Sequence, residues 1–203
     1  MKDGRGVLEE QVEVDYDVEK YKMKETQETR SMIEMLWRRR TQENSRIYNA
    51  SKFRLAGHGW DEEKGRVVMR VGLTDYKDHV GTNLSPDVDQ YMGDGDEKYD
   101  LMSQCVGVGA WVITTDHRVV FVENAAWKGE QGCKIDRPGG HAEPGECGVE
   151  DETKIPSNVV RAELFDCIRR ELRDEVNINL DLQHPPELLG GVYNLACGGR
   201  LSK

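Results

Sequence analysis

With 38 acidic against 28 basic residues in 203, the chain carries a net charge of −10, which excludes a protein built to grip a nucleic-acid backbone, whose footprint is a basic patch. No apolar run approaches the roughly 20 residues needed to span a bilayer, and the first residues are charged rather than a signal segment. A soluble intracellular protein, cytoplasmic and/or nuclear, with no membrane or nucleic-acid partner and one domain bearing an N-terminal elaboration, is the expectation.

Residues 1–24 are dominated by Glu, Asp and Lys and predict a flexible acidic start, with one alternating stretch, Gln11 to Tyr16, suited to an edge strand. From about Glu25 to Arg46 the apolar residues Met32, Ile33, Met35, Leu36 and Trp37 sit in a charged segment free of Gly and Pro, the pattern of an amphipathic helix. Its basic tip, Arg38-Arg39-Arg40, reads as a solvated face. Lys52 to Ala56 and Arg66 to Leu73 then alternate around a Gly-containing loop, which predicts a hairpin. Thr74 is placed to cap a short helix through Val80, and Gly81 to about Lys98 reads as loop. Residues 25–103 form an N-terminal helix-plus-hairpin extension, and residues 104–203 the core domain.

Cys105 to Thr115 and Arg118 to Glu123 predict a second, more apolar hairpin that should lie deeper in the sheet. Gly107 and Gly109 make a Gly-x-Gly, but a dinucleotide loop needs a third glycine opening a helix, and a strand follows. These glycines are expected to let a helix or loop approach the sheet closely. The five cysteines are scattered and never form Cys-x-x-Cys, so they read as reduced thiols.

The chemistry is concentrated late in the chain. Ile135 to Gly140 gives a tight loop leading into Gly139-Gly140-His141-Ala142-Glu143-Pro144-Gly145-Glu146. From Val159 to about Asn177 a helical pattern follows, with Leu164, Cys167, Ile168, Leu172 and Val176 on one side and Glu171, Asp174 and Glu175 together on the other. Three acids on a helix are most often a solvated face. Preceded by a glycine-rich loop they become a negative patch suited to Mg²⁺, which takes one or two protein carboxylates and completes its octahedron with waters and substrate phosphates.

Loop and helix together resemble the Nudix box, G-x5-E-x7-R-E-U-x-E-E-x-G-U with U apolar, at Gly140, Glu146, Arg170, Glu171, Leu172, Glu175 and Ile178. Asp174 and Asn177 depart from it, and residues 147–169, 23 in all, stand where the box has seven. Asn tolerates the left-handed conformation that the box glycine would adopt. The split box, Lys52-Phe53-Arg54-Leu55 and the segment Gly72-Leu73-Thr74-Asp75-Tyr76-Lys77-Asp78 resemble the UDP-glucose pyrophosphatase branch of the Nudix hydrolases.

The resemblance implies an α/β fold, a Nudix-type α/β/α sandwich with a mixed sheet. Only about 25 residues follow Ile178, so its C-terminal strands are expected to be missing and the chain to be a truncated form. It further implies Mg²⁺-dependent hydrolysis, with Mn²⁺ as a substitute, of UDP-glucose or UDP-galactose to UMP and a sugar 1-phosphate. Metal falls to Glu171 and Glu175, with Asp174 as auxiliary ligand or proton acceptor. Phe53 and Tyr76 become candidates for the uridine, and Asn124, Asp136, His141 and Glu143 for sugar or phosphate. Another nucleoside diphosphate derivative such as ADP-ribose, or an inactive truncated product, stays open as an alternative.

Overall fold

The computed structural model describes residues 6–123, 135–194 and 200–201. Its first strand, β1 (Val12–Tyr16), pairs in parallel with β3 (Arg66–Asp75), which pairs antiparallel with β2 (Ser51–Asp61), giving the order β1-β3-β2. The sheet is therefore mixed and the fold α/β.

The predicted hairpin is β2 and β3, and helix α1 (Gln27–Glu43) occupies the amphipathic stretch, opened by Thr26, whose side chain accepts from the Thr29 N–H. Helix α2 (Tyr76–Gly81) begins one residue later than the sequence implies. Asp75 rather than Thr74 caps it, accepting from the Asp78 N–H at 2.7 Å, while Thr74 stays in β3 with its hydroxyl on Ser103. At Gly81 a methyl group would strike Ile33 of α1, whose Cα lies 2.8 Å from that position, so glycine permits α1 and α2 to meet.

The start of the chain departs from expectation. From Gly6 onward it is docked rather than flexible: Val7, Val12, Val14, Tyr21 and Met23 are buried, and Val7 exchanges both backbone hydrogen bonds with Leu188 at 2.8 Å. One core joins Val12 and Val14 to Phe53, Leu55 and Val71 of the hairpin and to Val106, Val160, Leu164 and Cys167. It runs across the expected boundaries at residues 24 and 103. The loop beyond α2 is likewise tied down by Arg54, a buried guanidinium that donates to the carbonyls of Tyr21, Met102 and Tyr99 at 3.0 to 3.1 Å. A buried charge needs this many acceptors to offset its lost hydration.

Beyond the loop, Arg54 bridges Cys105, and the chain enters β4 (Gly107–Gly109), which pairs antiparallel with β7 (Gly139–His141). The second predicted hairpin is deep only at its start, where Cys105 and Val106 are buried; the rest is not. It reduces to an Ile113 to Val119 bridge and to β5 (Val122–Glu123), paired with β6 (Ile135–Asp136), and Trp111, Ile113, Val119 and Phe121 are all exposed. Apolar content suited a buried strand, but the core closes on β1, β2, β3, Val106 and α3 without residues 111–121.

Helix α3 (Ser157–Val176) lays Val160, Leu164, Cys167 and Ile168 on the core. It ends as expected: Asn177 adopts φ 57°, ψ 35°, and the next N–H, of Ile178, reaches the Leu172 carbonyl at 3.1 Å. The last described pair is β8 (Tyr193–Asn194) with β9 (Arg200–Leu201). Cys105, Cys147 and Cys167 are free thiols as anticipated; Cys133 and Cys197 lie outside the described residues.

Candidate active site

Strand β7 and helix α3 build the site between them. The Gly139 N–H donates to Glu175 Oε2 at 3.0 Å. At Gly140 an added methyl would sit 2.5 Å from Glu171 Cδ and closer still to its Oε1. Each carboxylate thus lies against one of two successive glycines, one helical turn apart. Glycine is required here because the helix side chain occupies the space a Cβ would fill.

The expected trio of acids on one face is split. Asp174 is exposed, and both its oxygens take hydrogen bonds from the adjacent Arg173 guanidinium, at 2.7 and 3.0 Å, which also holds its carboxyl below the usual range. Positions 174 and 175 point about 100° apart around an α-helix, so Asp174 falls on the flank of the pair. Among the described residues no three His, Cys, Asp or Glu side chains gather closely enough to hold a metal unaided. A two-carboxylate site still suits Mg²⁺, whose remaining positions go to water and phosphate.

What ties this helix to the loop after β7 is a residue that the box reading passes over. Arg170 donates to Glu163 Oε1 at 2.6 Å, and the Glu163 side chain is 4% exposed. Burial pulls against it, but the Glu163 hydrogen bond and charge hold the Arg170 guanidinium above its ordinary value. Glu163 also accepts from the backbone N–H of Glu143 at 3.4 Å, tying the loop after β7 to α3. Glu146, the match by spacing from Gly140, is exposed in the 3-10 turn Pro144–Cys147. The readable signal was helical: Glu163 lies two turns before Arg170 on the same face. Counting from the glycines misses it, since the interruption shifts the register.

The interruption itself is ordered. Its 3-10 turn Glu152–Lys154 is pinned by the Tyr16 hydroxyl to the Glu152 carbonyl at 2.6 Å and by the Ser51 hydroxyl to the Glu152 carboxylate at 2.8 Å. From Ser157 onward it is the first part of α3. Burial pushes the Cys147 thiol up to about 11 and the Cys167 thiol, one turn before Glu171, up to about 12, so neither is a thiolate at neutral pH.

The other candidates scatter. His141 is half-buried at the end of β7, and Glu143 follows it, ion-paired with Lys52 of β2. Asp136 is in β6, with a side-chain oxygen on the Arg137 N–H at 2.8 Å. Tyr76 opens α2 and packs edge-on against Trp37 of α1 at 6.0 Å. Phe53 is a correction: it is fully buried, edge-on to Tyr16 at 5.9 Å, and offers no surface to a ligand. Its strand is covered on both faces, so Lys52, Phe53, Arg54 and Leu55 are all buried. Asn124 lies outside the described residues.

The glycine pair facing two helical carboxylates is the candidate site. No protein-family model matches the chain. Among characterised proteins it is 33% identical over 179 residues to a uridine diphosphate glucose pyrophosphatase of Mus musculus, covering 84% of this chain and 58% of that protein. It is 31% identical over 176 residues to Nudix hydrolase 9 of Arabidopsis thaliana, covering 78% and 56%. The uridine diphosphate glucose pyrophosphatase of Homo sapiens is 31% identical over 180 residues, covering 84% and 59%. Over most of its own length the chain is similar to these Nudix hydrolases. It spans somewhat under two thirds of the length of the relatives it matches. No helix among the described residues is long and apolar enough to cross a membrane.

Proposed function

We propose that this chain, on a Nudix-type α/β/α sandwich, hydrolyses the diphosphate of a UDP-sugar, UDP-glucose or UDP-galactose, to UMP and a sugar 1-phosphate. The observation that carries the reading is the placement of Glu171 and Glu175 one turn apart against Gly139 and Gly140. The relatives named for UDP-glucose supply the substrate class.

In this reading Glu171 and Glu175 hold Mg²⁺, or Mn²⁺ in its place. Such an ion neutralises the diphosphate and makes a bound water more acidic. The chain's own residues do the rest. Gly140 carries no side chain, so the Glu171 carboxylate can lie close against the strand. The Gly139 N–H orients the Glu175 carboxylate, and Glu163, held by Arg170 along the helix, ties α3 to the backbone N–H of Glu143. His141 and Glu143, on the segment leaving β7, face sugar or phosphate, with Asp136 beside the loop; Tyr76 and Asn124 remain candidates for the nucleoside and sugar. Asp174 has a secondary role, since it must first release Arg173.

The test is UMP release from UDP-glucose with Mg²⁺ by this chain and by Glu171→Gln and Glu175→Gln. Each variant should lose on the order of 10²-fold or more in kcat/KM while folding normally, and Asp174→Asn much less. Faster cleavage of ADP-ribose would overturn the uridine assignment. Inactivity on both substrates by the folded chain would leave an inactive product as the correct reading.

A further inference from the structure

Lys52 is the second residue of β2 and is 9% exposed, an unusual burial for an ammonium group. Its charge is met by the Glu143 carboxylate. The pair is asymmetric: the Lys52 side chain is 11% exposed and that of Glu143 is 43% exposed. The cation is part of the protein wall, and the carboxylate is presented outward beside the glycine loop. Glu143 is tethered a second time through its backbone N–H to Glu163, which in turn holds Arg170. The line Lys52, Glu143, Glu163, Arg170 therefore joins β2, the segment after β7 and α3, ending next to Glu171.

A glutamate on an open loop loses rotamer freedom when a ligand fixes it, and that loss weakens binding. A carboxylate already fixed by a buried cation has largely lost that freedom before the ligand arrives. We propose that Lys52 is a positioning residue that, acting through Glu143, holds the carboxylate towards the nucleotide-sugar. The assignment rests on the reading of Glu143 as a contact to the substrate's sugar or phosphate. Lys52 itself touches no reacting atom; its effect belongs to KM rather than to the chemical step.

Steady-state kinetics with UDP-glucose and Mg²⁺ on the full chain test this, using Lys52→Met, Lys52→Arg, Glu143→Gln and the Lys52→Met/Glu143→Gln double variant. Lys52→Met should raise KM about tenfold with kcat within about threefold, Lys52→Arg should recover most of the loss, and the double variant should be no worse than Glu143→Gln alone. A lysine serving only stability would lower the unfolding midpoint, leave KM unchanged and add its effect to that of Glu143→Gln; that result overturns the proposal. Should Lys52→Met fail to fold, Lys52→Gln carries the test, with KM raised in the wild-type background and unmoved in the Glu143→Gln background. Failure of the two readings is separable. If wild type does not cleave UDP-glucose, or Glu143→Gln leaves KM unchanged, the substrate reading falls and the Lys52 proposal with it. If Glu143→Gln raises KM and neither Lys52 variant does, the Lys52 proposal falls alone.

Discussion

Gly140→Ala isolates the contact between β7 and helix α3. The new methyl would stand 2.5 Å from Glu171 Cδ, where ordinary contact begins at 3.4 Å, so the carboxyl carbon must retreat by about 0.9 Å and the nearer Oε1 by more. Gly140 lies in an extended strand paired with Val108, so alanine meets no backbone penalty there. The obstacle is the far end of a flexible, half-buried side chain, so the fold should change by no more than about 1 kcal/mol. Activity is more exposed to the change. Misplacing a group by about 1 Å costs on the order of 100-fold, or about 2.7 kcal/mol in transition-state free energy. The assay pairs UMP release at varied Mg²⁺ and UDP-glucose with thermal unfolding of the same sample. A variant that melts like wild type and retains wild-type kcat/KM refutes the reasoning; so does a loss fully accounted for by unfolding.

Three further outcomes follow from the packing. Arg170→Ala leaves the buried Glu163 carboxylate with only the long Glu143 N–H contact; breaking buried pairs costs about 3–5 kcal/mol, and since Arg170 is 29% exposed about 2–3 kcal/mol is expected by urea unfolding. Phe53→Ala should cost about 3–5 kcal/mol while leaving KM of the folded fraction within about twofold, and a selective KM rise at unchanged stability would restore Phe53 as a ligand contact. Burial first, then the charge of Asp75, pushes the Asp78 carboxyl from 3.8 up to about 6, against Arg30 at 2.8 Å, with Glu25 also near. A raised acid pKa means that the folded state holds the proton longer, so the Asp78 contribution to stability falls as pH rises from about 4 to about 6. Relative to Asp78→Asn, wild type should lose on the order of 2 kcal/mol across that window; pH-independent differences would contradict this.

Local physics made much of the fold legible. Helices α1 and α3, the β2 to β3 hairpin, the strand in residues 11–16 and the left-handed Asn177 all follow from periodicity, turn residues and capping. What failed needed knowledge of distant partners. An acidic start reads as flexible until Leu188 and the face of α3 are seen to cover it. An apolar hairpin reads as deep throughout until the core is seen to take only its start, Cys105 and Val106. Phe53 reads as a ligand contact or as core with equal ease, because one residue's alternation says nothing about what covers its strand.

The site divides in the same way. The sequence by itself determined that Glu171 and Glu175 share a helix face and that two glycines precede them, because helical spacing and the backbone freedom of glycine are local properties. Only the tertiary structure decided that each carboxylate meets its own glycine, that Asp174 turns aside to Arg173, that Glu163 rather than Glu146 holds Arg170, and that Lys52 stands behind Glu143. Those choices depend on how far an interrupted loop carries the chain before it returns to α3, and on which charges burial forces together. Neither quantity is written in the spacing of residues.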